Sequence, residues 1–271
     1  MEDIHLKRYK IEPGQSVRLN DWDPGDTSGF DGTRQEAEIA SGKLIQRLER
    51  LQNLLYAEHK HKLLLILQAM DTGGKDGTIR HVFEGVDPQG VSVAHFREPT
   101  PEELDHDFLW RVHKLVPGKG EIGIFNRSHY EGVLVERVHG IVPERVWQRR
   151  YAEINDFERL LSEDGTTILK FYLHIDADEQ KKRLQDRLDD PTEQWKFNVN
   201  DLPERRLWSE YLEAYRDTLE KTSTKYAPWY LIPANHKWYR NLLVSTIIVK
   251  TLEDLKMRYP RIKNCESIKI V

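Results

Sequence analysis

Lys62-Leu-Leu-Leu-Ile-Leu-Gln68 and the adjoining Ala69-Met-Asp-Thr-Gly-Gly-Lys-Asp76 decide the fold. The first stretch is a short, continuous apolar run, which is typical of a strand buried on both faces of a parallel sheet. The second is a glycine-containing loop, and a helical pattern follows it from Thr78. The order strand, loop, helix indicates a phosphate-binding loop, because consecutive backbone N–H groups and a helix N-terminus can point at one anion.

This loop contains residue types that can bind an anion. Gly73 and Gly74 allow a close backbone approach that a Cβ would block, and Lys75 supplies a positive charge. The pattern departs from GxxxxGK(S/T), since Ala69 replaces the first glycine and Asp76 replaces the hydroxyl residue. An ordinary strand-turn-helix connection with a solvent-exposed lysine therefore stays open as the alternative.

Two carboxylates flank the loop, at Asp71 and Asp76. Both have an ordinary interpretation as turn and helix-cap residues. Beside a bound phosphate chain they would repel the anion unless Mg²⁺ lay between them. On that interpretation Asp71 is predicted to be the main metal anchor.

Apolar runs along the rest of the chain alternate with helical stretches, as in a doubly wound sheet with right-handed crossovers. The further predicted strands are Val91–Phe96, Ile122–Phe125, Thr167–Ile175 and Trp229–Ile232. With the first strand they predict a three-layer α/β/α fold around a five-stranded parallel sheet. Ligands of such sheets bind beyond the carboxyl ends of the strands, so residues just after each strand are the candidates for chemistry.

The length of 271 residues favours a single domain over residues 1–271, because single cores stop growing near roughly 250–300 residues. Residues 1–31, rich in turn formers, are predicted to be an extended arm on the surface or on a neighbouring subunit. Residues 33–60 repeat apolar side chains at three- and four-residue steps, which predicts an amphipathic helix. Residues from about 176 to 227 are predicted to form a charged helical lid.

Composition excludes several classes of protein. The 41 basic and 45 acidic residues give a net charge of −4, which does not favour a nucleic-acid-binding protein held by bulk charge. Cys265 is the only cysteine, so an internal disulfide is excluded and a reducing, cytoplasmic location is expected. The apolar runs are too short for a membrane span. The histidines lack a metal-ligand spacing, and Ser128 next to His129 has no GxSxG context for a hydrolase.

Polar residues follow the later strands. Asn126 and Arg127 come directly after the third strand, and Arg127 could stabilise charge on a transferring phosphoryl group. Glu131 could align an acceptor or a metal-bound water. The same segment is also readable as a helix-capping turn with Ser128 or Asn126 as the cap. Arg97, after the second strand, could hold an acceptor phosphate, although the neighbouring prolines also suit a plain turn.

The predicted lid begins with a cationic helix. Arg183 and Arg187 are four residues apart and share one helix face. A solvated face with Glu179 pairing to Arg183 is the ordinary interpretation. A mobile cationic lid above a phosphate loop is the functional one, and Lys196 extends its basic character.

Taken together, these motifs resemble the polyphosphate kinase 2 family over nearly the whole chain. The segments that carry the resemblance are Gln15–Asp21, Gln68–Gly77, Phe125–Glu131, Gln180–Arg187 with Trp195–Phe197, and Trp229–Asn235. The resemblance implies a P-loop kinase-like fold with a helical lid, in a cytoplasmic bacterial enzyme. Such enzymes move the terminal phosphate of inorganic polyphosphate to a nucleotide, reversibly, with Mg²⁺ or in some cases Mn²⁺.

Carried onto this sequence, the resemblance implies catalytic roles for Asp71, Lys75, Arg127, Glu131, Arg183 and Arg187. The phosphate chain is expected at Thr72, Gly73, Gly74, Lys75, Asp76, Gly77, Arg80 and Lys196. The nucleotide is expected at Arg97, Glu98, Pro99, Asn126, Ser128 and Tyr130.

Asn126 and Glu131 resemble the subgroup that accepts both nucleoside mono- and diphosphates. The expected partners are polyphosphate, AMP, ADP, ATP and guanine nucleotides, with no nucleic acid or membrane. The amphipathic helix and the arm suggest a homodimer or homotetramer. Two other classes remain open: a conventional ATP-dependent kinase of the same fold, and a non-catalytic nucleotide-binding protein.

Overall fold

Strand β2, Lys62–Ala69, forms the centre of the sheet in the computed structural model, and all eight of its residues are buried. The structure describes residues 4–263, so the first three residues of the arm and Cys265 lie outside the described part. The strands follow the order β1-β6-β5-β2-β4-β3 across the sheet. Their bounds are β1 Lys10–Ile11, β3 Val91–His95, β4 Ile122–Asn126, β5 Thr166–His174 and β6 Trp229–Pro233.

The five predicted strands are all present and pair in parallel, but the sheet has a sixth strand that the prediction lacked. Strand β1 pairs antiparallel with β6, with Lys10 opposite Tyr230. It comes from the predicted arm, whose Tyr9 and Ile11 are buried in the core of this chain. The expectation of an arm lying on the surface is therefore corrected. A two-residue strand is too short to show the alternation by which strands are recognised.

The helices form two groups, as a three-layer fold requires. One group contains α1, α2 and α10, which contact one another, and the other contains α5, α6 and α9. Their bounds are α1 Arg34–Glu58, α2 Lys75–Val82, α3 Pro101–Leu104, α4 Trp110–His113, α5 Val135–Val138, α6 Glu144–Glu163, α7 Ala177–Asp189, α8 Asp201–Arg206, α9 Trp208–Thr222 and α10 Lys237–Asp254.

Helix α1 begins where the sequence predicts, because Thr33 and Glu36 form a reciprocal capping box. The segment predicted as a lid is helical, but its last helix is not a surface feature. Ala214, Tyr215 and Leu219 of α9 are buried in the main core, and α9 packs against α5 and α6. The expectation of a lid without core character is thus wrong for α9. Across the described residues, no helix combines the length and the apolar character needed to cross a membrane.

Candidate active site

The loop between β2 and α2 folds tightly around its glycines. Gly74 has φ +100° and is the residue from which α2 starts, so it adopts a conformation that other residues rarely take. At Gly73 a Cβ would come within 2.8 Å of the Met70 carbonyl oxygen, so a side chain does not fit. Thr72, with φ 60°, is held in the left-handed region although it is β-branched. Strain of this kind is concentrated at functional sites.

Lys75 is buried at the first position of α2, with 9% of its surface exposed. Its Nζ donates to the Ala69 carbonyl oxygen at 3.0 Å, which holds the ammonium group against its own loop. Burial, followed by the charge of Arg127, lowers the pKa of Lys75 to about 8. The solvent-exposed lysine of the alternative interpretation is therefore wrong. The side chain is a buried cation at the first position of the helix that follows the loop.

The register of β2 and β4 brings the second half of the site beside the loop. Leu67 lies opposite Asn126, the last residue of β4, and β2 ends two residues later, so Arg127 follows beside the loop. Arg127 Nη2 donates to Asp71 Oδ1 at 3.1 Å, and its Nη1 lies 3.7 Å from Glu131 Oε2. Burial opposes the charge of Arg127, but Glu131 and Asp71 outweigh it and raise the pKa of the guanidinium. One arginine thus joins two carboxylates from different strand ends.

Glu131 is held in place by the central strand. Gln68 Nε2, on β2, donates to Glu131 Oε1 at 3.1 Å and lies 3.3 Å from Ser128 Oγ. Burial raises the pKa of Glu131, while the charge of Arg127 opposes that rise. The charge of Arg127 and the hydrogen bond from Gln68 thus favour the ionised form of this carboxyl, against the effect of burial.

A cavity of about 420 Å³ opens next to these groups. Asp71, Arg127 and Glu131 line one part of it, and the α9 aromatic residues Trp208 and Tyr211 line another. The other lining residues are Ala69, Met70, Glu98, Leu134, Val135, His139, Gln180, Asn198, Asn200, Asp201, Glu204 and Tyr215. Five carboxylates against one guanidinium make the lining acidic, with an aromatic wall.

Several predicted nucleotide contacts lie elsewhere. Tyr130 has no exposed surface, and its hydroxyl donates to Glu158 Oε1 at 2.7 Å, so its predicted contact with a nucleotide is corrected. Asn126 Nδ2 donates to Asp76 Oδ1 at 2.6 Å and ties the loop to β4 rather than facing the cavity. Ser128 is buried, and its Oγ accepts from Tyr130 N as a turn cap. The capping interpretation of this segment is therefore confirmed for Ser128.

The three predicted nucleotide contacts after β3, Arg97, Glu98 and Pro99, differ in whether they line the cavity. Glu98 lines the cavity, whereas Arg97 is exposed and does not line it. Pro99 is half-buried and precedes Thr100, which caps α3 with a capping box. Of the three, only Glu98 is placed by the structure to meet a ligand in this cavity.

Arg183 does not face open solvent as a mobile lid residue would. It is 6% exposed, and its Nη1 donates to the Thr72 carbonyl oxygen at 3.0 Å. Its Nη2 donates to the carbonyl oxygen of Ala234 at 2.6 Å, and its Nε donates to Glu179 at 2.7 Å. The Glu179 pairing that the sequence suggested is present, but the guanidinium also fixes the strained part of the loop.

The remaining predicted residues, Arg187, Lys196, Arg80 and Gly77, do not reach the cavity. Arg187 Nη1 is 3.9 Å from Asp201 Oδ2 and 3.3 Å from the Lys196 carbonyl oxygen. Lys196 Nζ pairs with Glu193. Gly77 is exposed on the first turn of α2, and Arg80 is exposed on its last turn. None of these four lines the cavity.

Two groups of site residues were not predicted. Trp208, Tyr211 and Tyr215 recur at three- and four-residue steps in α9, a pattern that could have shown an aromatic face within the charged lid. Gln180 Nε2 donates to the Asp71 carbonyl oxygen at 3.0 Å, and Arg205 Nη1 donates to Gln180 Oε1 at 2.8 Å. No local pattern reveals that chain of contacts, because the partners lie more than one hundred residues from the loop.

The fold and the site define a class: a mostly parallel α/β protein whose strand-loop-helix unit carries a buried lysine beside an arginine–carboxylate cluster. Residues 31–260 match the family described as Polyphosphate kinase 2 (PPK2). A protein of Meiothermus ruber named AMP/ADP-polyphosphate phosphotransferase is 59% identical over 256 residues, which cover 94% of this chain and 96% of the relative.

A protein of Rhodopseudomonas palustris named ADP-polyphosphate phosphotransferase is 43% identical over 269 residues, which cover 95% of this chain and 93% of the relative. The crystal structure of polyphosphate kinase 2 from Arthrobacter aurescens TC1 has a TM-score of 0.90 and 46% identity, and the match covers 93% of this chain and 91% of that chain. The chain belongs to the polyphosphate kinase 2 family.

Proposed function

We propose that this protein transfers the terminal phosphoryl group of inorganic polyphosphate to AMP and ADP, reversibly. The observation that carries the proposal is the convergence of Lys75, Arg127, Asp71 and Glu131 at the carboxyl ends of β2 and β4. The names of the relatives that cover nearly the whole chain support the donor and both acceptors. The fold is proposed to be of the P-loop kinase type, which places the donor phosphate at the N-terminus of α2.

The loop, Lys75 and Arg127 have separate roles in the proposed transfer. Backbone N–H groups of the loop and Lys75 Nζ bind the donor phosphate, and Arg127 neutralises charge on the group in transit. A terminal phosphate oxygen of the acceptor forms the new bond to phosphorus, while the bond to the bridging oxygen of the donor chain breaks. No side chain is phosphorylated, since alignment and charge stabilisation are the terms that phosphoryl transfer needs.

A divalent cation fits the acidic side of the site. Asp71 and Glu131 are carboxylates on the cavity wall, and Mg²⁺ is usually held by one or two carboxylates together with substrate phosphates. Within residues 4–263, no cluster of three or more His, Cys, Asp or Glu residues could hold a metal ion by itself. We therefore propose Asp71 as the main protein ligand, with Mg²⁺ or Mn²⁺ neutralising the phosphates when bound.

Arg127 is bonded to Asp71 at 3.1 Å, so this carboxylate must exchange a partner when the metal and the substrates bind. We expect Asp71→Asn to raise the Mg²⁺ concentration for half-maximal rate by about tenfold or more, since a charged ligand is lost. Glu204→Gln, another cavity carboxylate, is the matched control. An unchanged rate and Mg²⁺ dependence in Asp71→Asn would remove the metal role.

The nucleotide is proposed to occupy the cavity, with its base against the α9 aromatic wall of Trp208, Tyr211 and Tyr215. Guanine nucleotides have the same ring faces for stacking and are proposed as further acceptors. A cytoplasmic location and a homodimer or homotetramer also remain proposals.

The deciding experiment supplies purified protein with AMP, long-chain polyphosphate and Mg²⁺ and separates the nucleotides by chromatography. Appearance of ADP and then ATP is the expected result. The same reaction without polyphosphate is the control. If products formed only when ATP was supplied as donor, the conventional ATP-dependent kinase would replace this proposal.

A further inference from the structure

Arg240 is a buried cation that the described site does not use. It lies in the first turn of α10, and only 2% of its surface is exposed. Its Nε and Nη2 both donate to Asn241 Oδ1, at 3.1 and 2.9 Å, and Asn241 is neutral. Within residues 4–263 Arg240 forms no salt bridge, so its charge is not balanced by a carboxylate there.

The guanidinium of Arg240 lies against the phosphate loop itself. A Cβ built on Gly74 would clash with Arg240 Nη1, and one built on Gly77 would lie 3.7 Å from Nη2. Gly74 starts α2, and Gly77 is exposed on its first turn. Arg240 therefore lies alongside the helix N-terminus to which an anion is attracted. Both neighbouring positions are glycine, and a side chain at Gly74 would occupy the space that the guanidinium fills.

A second guanidinium lies next to it. Arg183 Nη1 is 3.6 Å from the same Gly74 Cβ position, and its charge adds to burial in lowering the pKa of Arg240. Arg183 has Glu179 as a partner, which leaves Arg240 as the unbalanced member of the pair. An unpaired buried cation is costly for a folded protein, whereas a bound anion removes that cost. The arrangement is that of a site built for an anion.

We propose that Arg240 binds the donor chain, at a phosphate unit beside Gly74 and Gly77 that is distinct from the transferred one. The inference rests on the proposed function, because it assumes that a chain of phosphates follows the terminal one. Lys75 and Arg127 are assigned to the terminal phosphate, while Arg240 Nη1 lies against Gly74, where α2 starts, and its Nη2 lies 3.7 Å from the Cβ position of Gly77. Polyphosphate carries a negative charge on every unit, so a guanidinium at this place can stabilise a unit other than the terminal one.

The test compares Arg240→Met with wild type and with Arg159→Met, which removes one positive charge from the exposed face of α6. We expect the KM for polyphosphate and the Kd for tripolyphosphate to rise about tenfold or more in Arg240→Met. The KM for ADP should stay within about twofold of wild type. Urea unfolding without ligand should show no loss of stability, because the cation removed has no carboxylate partner.

Unchanged values for both phosphate ligands in Arg240→Met would overturn the inference. So would a fall in stability with a lower kcat and unchanged KM, since that result describes a structural arginine. If Arg240→Met does not fold, Arg240→Gln and Arg240→Lys take its place. Lysine should retain phosphate binding and glutamine should lose it, and equal binding by the two would contradict the proposal.

The binding measurement needs no turnover, so it separates the two proposals. Failure of wild type to form ATP from ADP and polyphosphate would contradict the proposed function alone. A tripolyphosphate Kd that does not depend on Arg240 would contradict only the inference.

Discussion

Buried cations have different partners in two regions of the molecule. One region is the ionic network around Lys170 and Glu158, and the other is the loop between β2 and α2, against which Arg240 lies. In the network, Lys170 is fully buried and its Nζ donates to Glu158 Oε2 at 2.6 Å, to Tyr130 OH at 2.8 Å and to the Thr222 carbonyl oxygen at 2.7 Å. At the loop, Arg240 is almost as buried, and among residues 4–263 it donates only to the neutral amide of Asn241. Lys170 has its counterion, Glu158, inside the chain, whereas the counterion proposed for Arg240 is a phosphate of the donor chain.

The network also has a positional role. Tyr130 and His129, which both contact Glu158, belong to the turn that carries Arg127 and Glu131. The contacts with Glu158 hold the buried side of this turn, while Arg127 and Glu131 of the same turn line the cavity. Two site residues, Thr72 and Arg127, have positive φ values of 60° and 61°, so the backbone is strained at both strand ends that form the site.

The largest expected effect is on stability, from Lys170→Met. Removing this partner leaves Glu158 buried without its main cation, which costs about 3–5 kcal/mol in the free energy of unfolding. Urea denaturation measures it. The double variant Lys170→Met/Glu158→Leu should recover most of the loss, because an apolar pair of similar volume replaces a buried ion pair at little cost. A loss below about 1 kcal/mol in the single variant would remove the contrast with Arg240.

Loss of a loop cation should instead reduce rate. Lys75→Ala or Arg127→Ala is expected to lower kcat for polyphosphate-dependent ATP formation by at least about a hundredfold, the scale of removing a preorganised charge stabiliser. Arg159→Met is the control for the loss of charge alone. Steady-state kinetics decide the outcome, and a reduction of less than threefold would contradict the assigned roles.

The pKa of Lys75, lowered to about 8, predicts a pH dependence. Above pH 8 the free protein loses this proton, so affinity for long-chain polyphosphate should fall by up to about tenfold per pH unit. Between pH 8 and the ordinary lysine value the unfolded chain holds the proton and the folded one does not, so stability without ligand rises with pH.

Titration calorimetry between pH 7 and 9 measures the affinity. Lys75→Arg keeps its charge over this range and should show a flatter profile. A wild-type affinity that stays constant or increases from pH 8 to 9 would show that Lys75 is not the titrating group.

The smallest expected effect concerns the strain in the loop. Thr72→Gly should raise the free energy of unfolding by about 1 kcal/mol or less, because glycine adopts a positive φ without steric cost while adding freedom to the unfolded chain. Thr100, with φ −72° and a capping role, is the control, and Thr100→Gly should not stabilise. Equal changes in the two variants would mean that Thr72 is not strained.

The amino-acid sequence by itself determined the five parallel strands, the loop after the first of them, and the place of Arg127 directly after a neighbouring strand. These features depend on apolar runs and on the rule that parallel strands end at one edge, and both are local or general. The family resemblance also came from the sequence, through motifs spread over nearly the whole chain.

Only the tertiary structure decided which charged side chains face a ligand. Helical spacing puts Arg183 and Arg187 on one face, but it does not say that Arg183 is buried against the loop while Arg187 lies near Asp201. Tyr130 and Arg240 became assignable for the same reason, since their partners come from distant elements. Burial and counterions are properties of the packed chain, so the physical cost of a buried charge can be judged only after packing.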